Sequence, residues 1–502
     1  MSRDTVSAAA EPSPPVPSAS RAAARSVSAI LFNQLPQVAG SVLYVVFVPR
    51  LLQSAVYGQL AFAFALIAIF QMLGELGYQE IFSRFLPEVQ RRAGEAGVRA
   101  MARRLTALKF VAGCGLGVVT GLTARGLGPW LTPEQAALVG LSVALRIWAM
   151  GLFALLLGLG ETGKWSVETT WRQIVVTILT LLFVRGPFLT PALWAMVLHE
   201  LVFLGLGAWW ARKWWQVAGG RWQVTSGVWD LDFGIWKLLR FGFTFSLANF
   251  ALVVMFRLSL IVVEKFTGSH PEVGFFDLAL GGLLLVYTFL GQIAYSFVPI
   301  LTRLHLDQRE GEAEAWLGRF VRYAGIVAAL GAGGMWAVAG PAAPLLFGAG
   351  YAPAADAIRA IAVGLLPLPV AWGAVILSAV EKRPAHKVRA ALTGLGVFLI
   401  GAALLRGYHA AGIALAFGMG LAGYAAGFGE SAWRAARAGG AGWGIALGAA
   451  SLFSFFLFLS FSPLLTALAA WAGAAAVYAL LMLGLRAVRP DELRQMWRAL
   501  RR

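Results

Sequence analysis

The chain has 502 residues, of which 59% are hydrophobic and 13% charged, with a formal net charge of +17. A soluble globular domain is nearer half apolar and a quarter charged. This composition therefore excludes a soluble enzyme and a secreted disulfide scaffold, and the placement of the cations between apolar blocks excludes a nucleic-acid-binding protein.

In chain order, residues 1–25 are rich in Ala, Pro and Ser and have no apolar core before Arg25. They read as a disordered cytoplasmic tail rather than a signal peptide. Apolar blocks long enough to cross a bilayer as helices follow. They predict an all-α polytopic membrane protein of 14 transmembrane helices, near 27–48, 56–78, 106–126, 134–158, 167–187, 191–211 and 241–263, then 274–300, 321–345, 357–380, 390–406, 410–430, 443–461 and 464–486. The single cysteine, Cys114, rules out an internal disulfide and a cysteine-based metal site. It reads as a small buried apolar residue.

Of the 41 Lys and Arg, 32 fall in one set of loops and the tails, five (Arg50, Arg125, Arg185, Lys265, Arg406) in the opposite loops, and four inside spans. The cation-rich side is cytoplasmic by the positive-inside rule, and both termini lie there. That set includes Lys109, read as a loop-side cation. The longest connection, 212–240, carries Trp215, Trp222, Trp229 and Trp236 at seven-residue intervals and reads as partly interfacial.

The only two asparagines, Asn33 and Asn249, are 216 residues apart, and at the same offset Gly58 matches Gly274 and Arg103 matches Arg319. Spans 1–6 thus read as one six-helix lobe (26–211) and spans 7–12 as a parallel copy (241–430). The accessory spans 13 and 14 (431–486) and a basic cytoplasmic tail (487–502) follow. Two such lobes enclose a central cleft that rocking exposes to each side in turn.

The stretch Gly158 to Lys164 fits a phosphate-binding-loop pattern, but it follows a span and Trp165 stands where the hydroxyl residue belongs. It reads as a short turn. The five histidines are scattered. No catalytic residue, cofactor or metal is expected, and the outer loops are too short to hold an enzyme's acidic groups.

Ionisable residues inside spans are costly and mark function by default. Arg146 lies in the middle of span 4, Arg257 in span 7, His199 and Glu200 in span 6, Arg172 about a turn inside span 5, and Arg359 near the outer end of span 10. Arg146 and Arg257 have two readings: a structural ion pair involving Glu200, or a cationic cleft for an anionic substrate. Two central arginines against one central glutamate favour the cleft. Asn33 and Asn249 either form interhelical hydrogen bonds between the lobes or line the cleft.

Several segments resemble the bacterial lipid-linked oligosaccharide flippases of polysaccharide biosynthesis, in the superfamily that also holds multidrug extruders and the peptidoglycan-precursor flippase. Leu51 to Tyr57-Gly58 resembles that family's turn between spans 1 and 2. Glu75-Leu76-Gly77 with Arg84 resembles its acidic-Leu-Gly motif, in which Asp is commoner. Leu345-Leu346-Phe347-Gly348 with Tyr351 and Arg359 resembles its signature before span 10. The resemblance implies gating or motif roles for Tyr57, Gly58, Glu75, Gly77, Arg84 and Arg359. It implies a lipid-linked glycan as substrate, moved from the inner to the outer leaflet of the cytoplasmic membrane on undecaprenyl diphosphate, with glycosyltransferase or polymerase partners. Arg146, Arg257, Arg172, Asn33, Asn249, Glu200 and His199 are the candidate substrate contacts. The peptidoglycan-precursor flippase is the nearest alternative. The absence of an acid from span 1 disfavours a cation-coupled drug extruder, and a membrane-embedded glycan-processing enzyme ranks below both.

Overall fold

The computed structural model describes residues 19–75, 77–215, 235–381, 383–440 and 464–484, and all regular structure among them is helical. Each expected span overlies a helix except 443–461, which lies outside the described residues, as does most of the 212–240 connection. Six segments among the described residues are long and apolar enough to cross a membrane, or seven when one bent pair is counted as a span.

The first two helices each contain a reversal. Helix α1 runs Ala19–Glu75 and would be about 85 Å long if straight, nearly three times the hydrocarbon core of a bilayer. It breaks at Gln53 (φ 60°, ψ 167°). Tyr44 and Phe64, one on each limb, meet with ring centroids 6.0 Å apart, so the limbs lie side by side. Helix α2 (Tyr78–Leu127) breaks at Gly94 (φ 58°), where glycine carries no steric penalty. Tyr78 Oη donates to the Leu105 carbonyl at 3.1 Å, a contact possible only if the chain doubles back. The limb 78–93 thus packs on the start of the limb 95–127 through Ile81, Phe82, Leu86, Val98 and Ala102.

Helix α3 (Pro133–Gly158) opens with a capping box, Thr132 and Gln135, and with Pro133 in its first turn; both satisfy or tolerate the unpaired N–H groups of a helix start. Helices α4 (Thr162–Phe183) and α5 (Leu189–Trp215) complete a first group with α1 to α3. The turn between α3 and α4 is short, with Gly160 at φ 80°.

The second group begins with α6 (Ile235–Thr267), α7 (His270–Leu306) and α8 (Glu310–Phe347). The expected span 357–380 is instead a pair, α9 (Ala354–Ala362) and α10 (Leu368–Val380), bent by 44°. Pro367 and Pro369 break it, because proline lacks the N–H that the ladder needs. Helices α11 (Pro384–Leu405), α12 (His409–Gly427) and the short α13 (Glu430–Ala438) follow. Helix α14 (Leu464–Gly484) lies against α8, with Tyr478 and Met482 beside Ala329 and Ala337.

Small residues set the closest approaches, as expected where packing rather than hydrophobicity joins helices. Gly117 of α2 faces Gly140 of α3, and Gly394 of α11 faces Gly420 of α12. Between the two groups, α1 carries most of the contact, against α6 and α7. Cys114 is exposed on the outer face of α2, which corrects its reading as buried. An outward face that meets lipid can be as apolar as a core, so its hydrophobic surroundings did not mark it as inside.

Candidate functional site: two clusters of charge inside the bundle

The first cluster lies within the first group. Arg146 on α3 donates to Glu168 at the start of α4. Arg172, one turn further along α4, donates to Glu200 on α5 and lies 3.5 Å from Glu168. His199 Nδ1 stands 3.6 Å from Glu200 Oε1, with its ring 5.3 Å from that of Phe203. Arg146, Glu168, His199 and Glu200 are all buried. Arg146 Nε, His199 Nε2 and Glu200 Oε2 have no hydrogen-bond partner among the described residues.

Lys109 completes this cluster and corrects its reading as a loop-side cation. Its side chain is fully buried, and its Nζ donates to the carbonyls of Gly74 (2.7 Å) and Glu75 (3.0 Å) while standing 4.2 Å from the Tyr78 ring centroid. The last carbonyls of a helix have no partner within it. Lys109 supplies one for α1, with its charge at the negative end of the helix dipole. Glu75, Lys109 and Glu168 line a pocket of about 30 Å³, room for a water or two. Gly77 turns the chain with φ 65°, and a Cβ there would lie 2.2 Å from the Gly242 carbonyl of α6. Arg84 is exposed, near the Phe85 ring.

The charges of this first group are therefore matched. Arg146 and Arg172 face Glu168 and Glu200, and Lys109 lies beside Glu75. The expected excess sets Arg146 and Arg257 against Glu200; within the first group Arg172 and Glu168 join Arg146 and Glu200, two of each sign. Of the candidate contacts, the structure brings together Arg146, Arg172, His199 and Glu200. Arg146 and Arg257 share no bonded partner among the described residues. Asn33 lies in α1, and its side chain falls outside the described residues. Asn249 Oδ1 accepts from Lys387 Nζ of α11 at 2.7 Å, a contact inside the second group. Arg359 holds α9 to α8, donating to the Trp336 carbonyl at 3.4 Å and pairing with Asp356 at 3.5 Å.

The second cluster sits where the groups meet, toward the end of the bundle that bears few cations. Tyr57 Oη of α1 donates to Asp277 Oδ2 of α7 at 2.7 Å. The Tyr57 ring meets that of Tyr351 at 6.3 Å, and Tyr351 Oη donates to the Pro49 carbonyl at 3.0 Å. Arg50 donates to the Leu345 carbonyl. Trp130, in the turn after α2, donates to Glu264 of α6 at 3.2 Å, and Lys265 donates to the Leu127 carbonyl at 2.7 Å. These bonds close that end. Arg257, half-buried on α6, forms no hydrogen bond or ion pair with any described residue, although its charge reaches Asp277. Sequence reading passed over Asp277; its signal was an acid just inside span 8.

Among the described residues no group of His, Cys, Asp and Glu could hold a metal ion.

A family model described as polysaccharide biosynthesis protein matches residues 24–305, more than half of the chain. No curated protein matches the sequence. An inward-facing multidrug resistance MATE family transporter of the MOP superfamily superposes with a TM-score of 0.65 at 15% identity, over 83% of this chain and 98% of that one. The lipid II flippase MurJ in an inward closed conformation gives 0.62 at 13% identity, over 91% and 99%. An outward-facing MATE transporter gives 0.54 at 15%, over 84% and 96%. The chain belongs to the polysaccharide biosynthesis protein family and shares its fold with transporters of the MOP superfamily.

Proposed function

We propose that the protein is a flippase carrying an undecaprenyl-diphosphate-linked oligosaccharide from the inner to the outer leaflet of a bacterial cytoplasmic membrane. Its two helix groups act as six-helix lobes that rock about the seam along α1. The cation-rich end faces the cytoplasm, in line with the asymmetry of the loops. The closed end bearing Tyr57 and Asp277 faces outward.

The observation that carries this reading is Arg257. It is a half-buried guanidinium beside the seam, bound to no described residue, in a fold shared with flippases and exporters. An unpaired cation at membrane depth is costly and calls for an anionic partner that comes and goes. A guanidinium can grip diphosphate oxygens through two parallel bonds. The polyprenyl chain stays in lipid while the glycan crosses between the lobes. Arg146 and Arg172, matched by carboxylates, hold the first lobe together.

Deletion of the gene tests this reading. Exported polysaccharide should fall and lipid-linked glycan should accumulate on the cytoplasmic side. Normal glycan with raised sensitivity to cationic drugs would identify an extruder. Accumulated peptidoglycan precursor would assign the alternative flippase substrate.

A further inference from the structure

Arg257 and Asp277 are close enough to interact, yet Asp277 is bonded to Tyr57. Arg257 lies ten residues before the end of α6 at Thr267, and Asp277 lies seven residues after the start of α7 at His270. The two helices are joined by the short turn Gly268–Ser269. Measured from that turn, Arg257 is about 15 Å deep and Asp277 about 10 Å deep. Asp277 therefore stands between Arg257 and the closed end.

Tyr57 belongs to α1, on the other side of the seam. Its bond to Asp277 exists only while the two groups are in contact at this end. Any opening there must break it, along with the Tyr351 to Pro49 bond that crosses the same seam. A carboxylate that loses its donor at membrane depth must find another. Arg257 is the cation that already feels its charge.

We propose that Asp277 is the release element of the transport cycle. With the end closed, Tyr57 holds the carboxylate and Arg257 is free to bind an anionic group. With the end open, Asp277 pairs with Arg257 and takes the guanidinium from the bound diphosphate. Binding and release are then set by one carboxylate with two alternative partners, one in each lobe. The inference rests on the reading of Arg257 as the diphosphate grip. It adds a residue that determines when the grip lets go.

The test uses the full chain in detergent, with undecaprenyl diphosphate as the binding probe, and the same variants in vesicles for translocation of a labelled lipid-linked glycan. Arg257→Ala checks the underlying reading alone. It should weaken binding at least tenfold, and unchanged binding would remove the grip and with it the switch. Given that loss, Tyr57→Phe frees Asp277 early and should weaken binding several-fold. Asp277→Asn keeps an acceptor for Tyr57 but cannot neutralise Arg257, so it should bind several-fold more tightly and translocate more slowly. Asp277→Ser, a smaller uncharged residue, should do the same, which separates loss of charge from local misfolding. The double variant Tyr57→Phe with Asp277→Asn should bind like Asp277→Asn. Wild-type affinity in Tyr57→Phe, or an Asp277→Asn protein that binds no more tightly than wild type, would overturn the proposal while leaving the grip in place.

Discussion

Gly58 of α1 and Gly274 of α7 pack backbone against backbone, and each presses on a carbonyl four residues before the other. A Cβ at Gly58 would lie 1.8 Å from the His270 carbonyl oxygen, and a Cβ at Gly274 would lie 3.0 Å from that of Ser54. The contact is reciprocal in sequence as well. Gly58 and Gly274 are 216 residues apart, as are Ser54 and His270, so a residue's contact is answered by its counterpart's, as across a two-fold axis.

This geometry predicts unequal effects of the same substitution. Gly58→Ala must push α1 from the backbone of α7 and should cost about 1–3 kcal/mol, the usual range for overpacking. Gly274→Ala meets only tight contacts and should cost less. Melting temperatures of the two variants in detergent decide it, and equal losses would contradict the asymmetry.

The buried pair of Arg146 and Glu168 should behave as structure. Arg146→Ala leaves Glu168 with only the more distant Arg172 and should cost about 3–5 kcal/mol. Replacing both together, Arg146→Met with Glu168→Leu, should recover much of that loss, since a packed apolar pair often equals a buried ion pair. Thermal unfolding of the single and double variants measures this. A double variant no more stable than Arg146→Ala would show that Arg146 has another essential partner.

Sidedness can be read with thiol chemistry because Cys114 is the only cysteine. In a Cys114→Ser background, a cysteine at Gly350 should react with a membrane-impermeant reagent applied outside intact cells. Cysteines at Arg104, Arg240 and Lys387 should react only after the membrane is opened. Labelling of position 240 from outside would break the arrangement of two parallel six-span lobes.

The helices were legible because each needs a long apolar run, and the caps of α3 are written in Thr132, Pro133 and Gln135. The break at Pro367 was equally visible in the residues, but it sits inside one continuous apolar block and so read as a single span. The pairing of charges was not legible. Glu168 stands at the edge of its span, where an acid normally meets water, and only the packing of α3 on α4 brings it to Arg146. Lys109 reads with the loop arginines because sequence gives no view of the bare carbonyls at Gly74 and Glu75 that draw it inward. Asp277 was hidden for a similar reason, since its hydrogen-bond partner comes from α1 and the cation nearby from α6 rather than from its own helix.

The reciprocity at Gly58 and Gly274 does not extend to the lock beside it. Stepping 216 residues from Tyr57 leads to Val273, and stepping back from Asp277 leads to Ala61. Both are buried and apolar, so the mirrored position has no hydrogen bond to make. An assembly of two identical six-helix subunits would have to carry such a lock twice or not at all. A single chain bearing both halves is free to keep the bearing symmetric and the fastening one-sided. A single substitution at Tyr57 or Asp277 therefore alters the fastening and leaves the glycine bearing as it is.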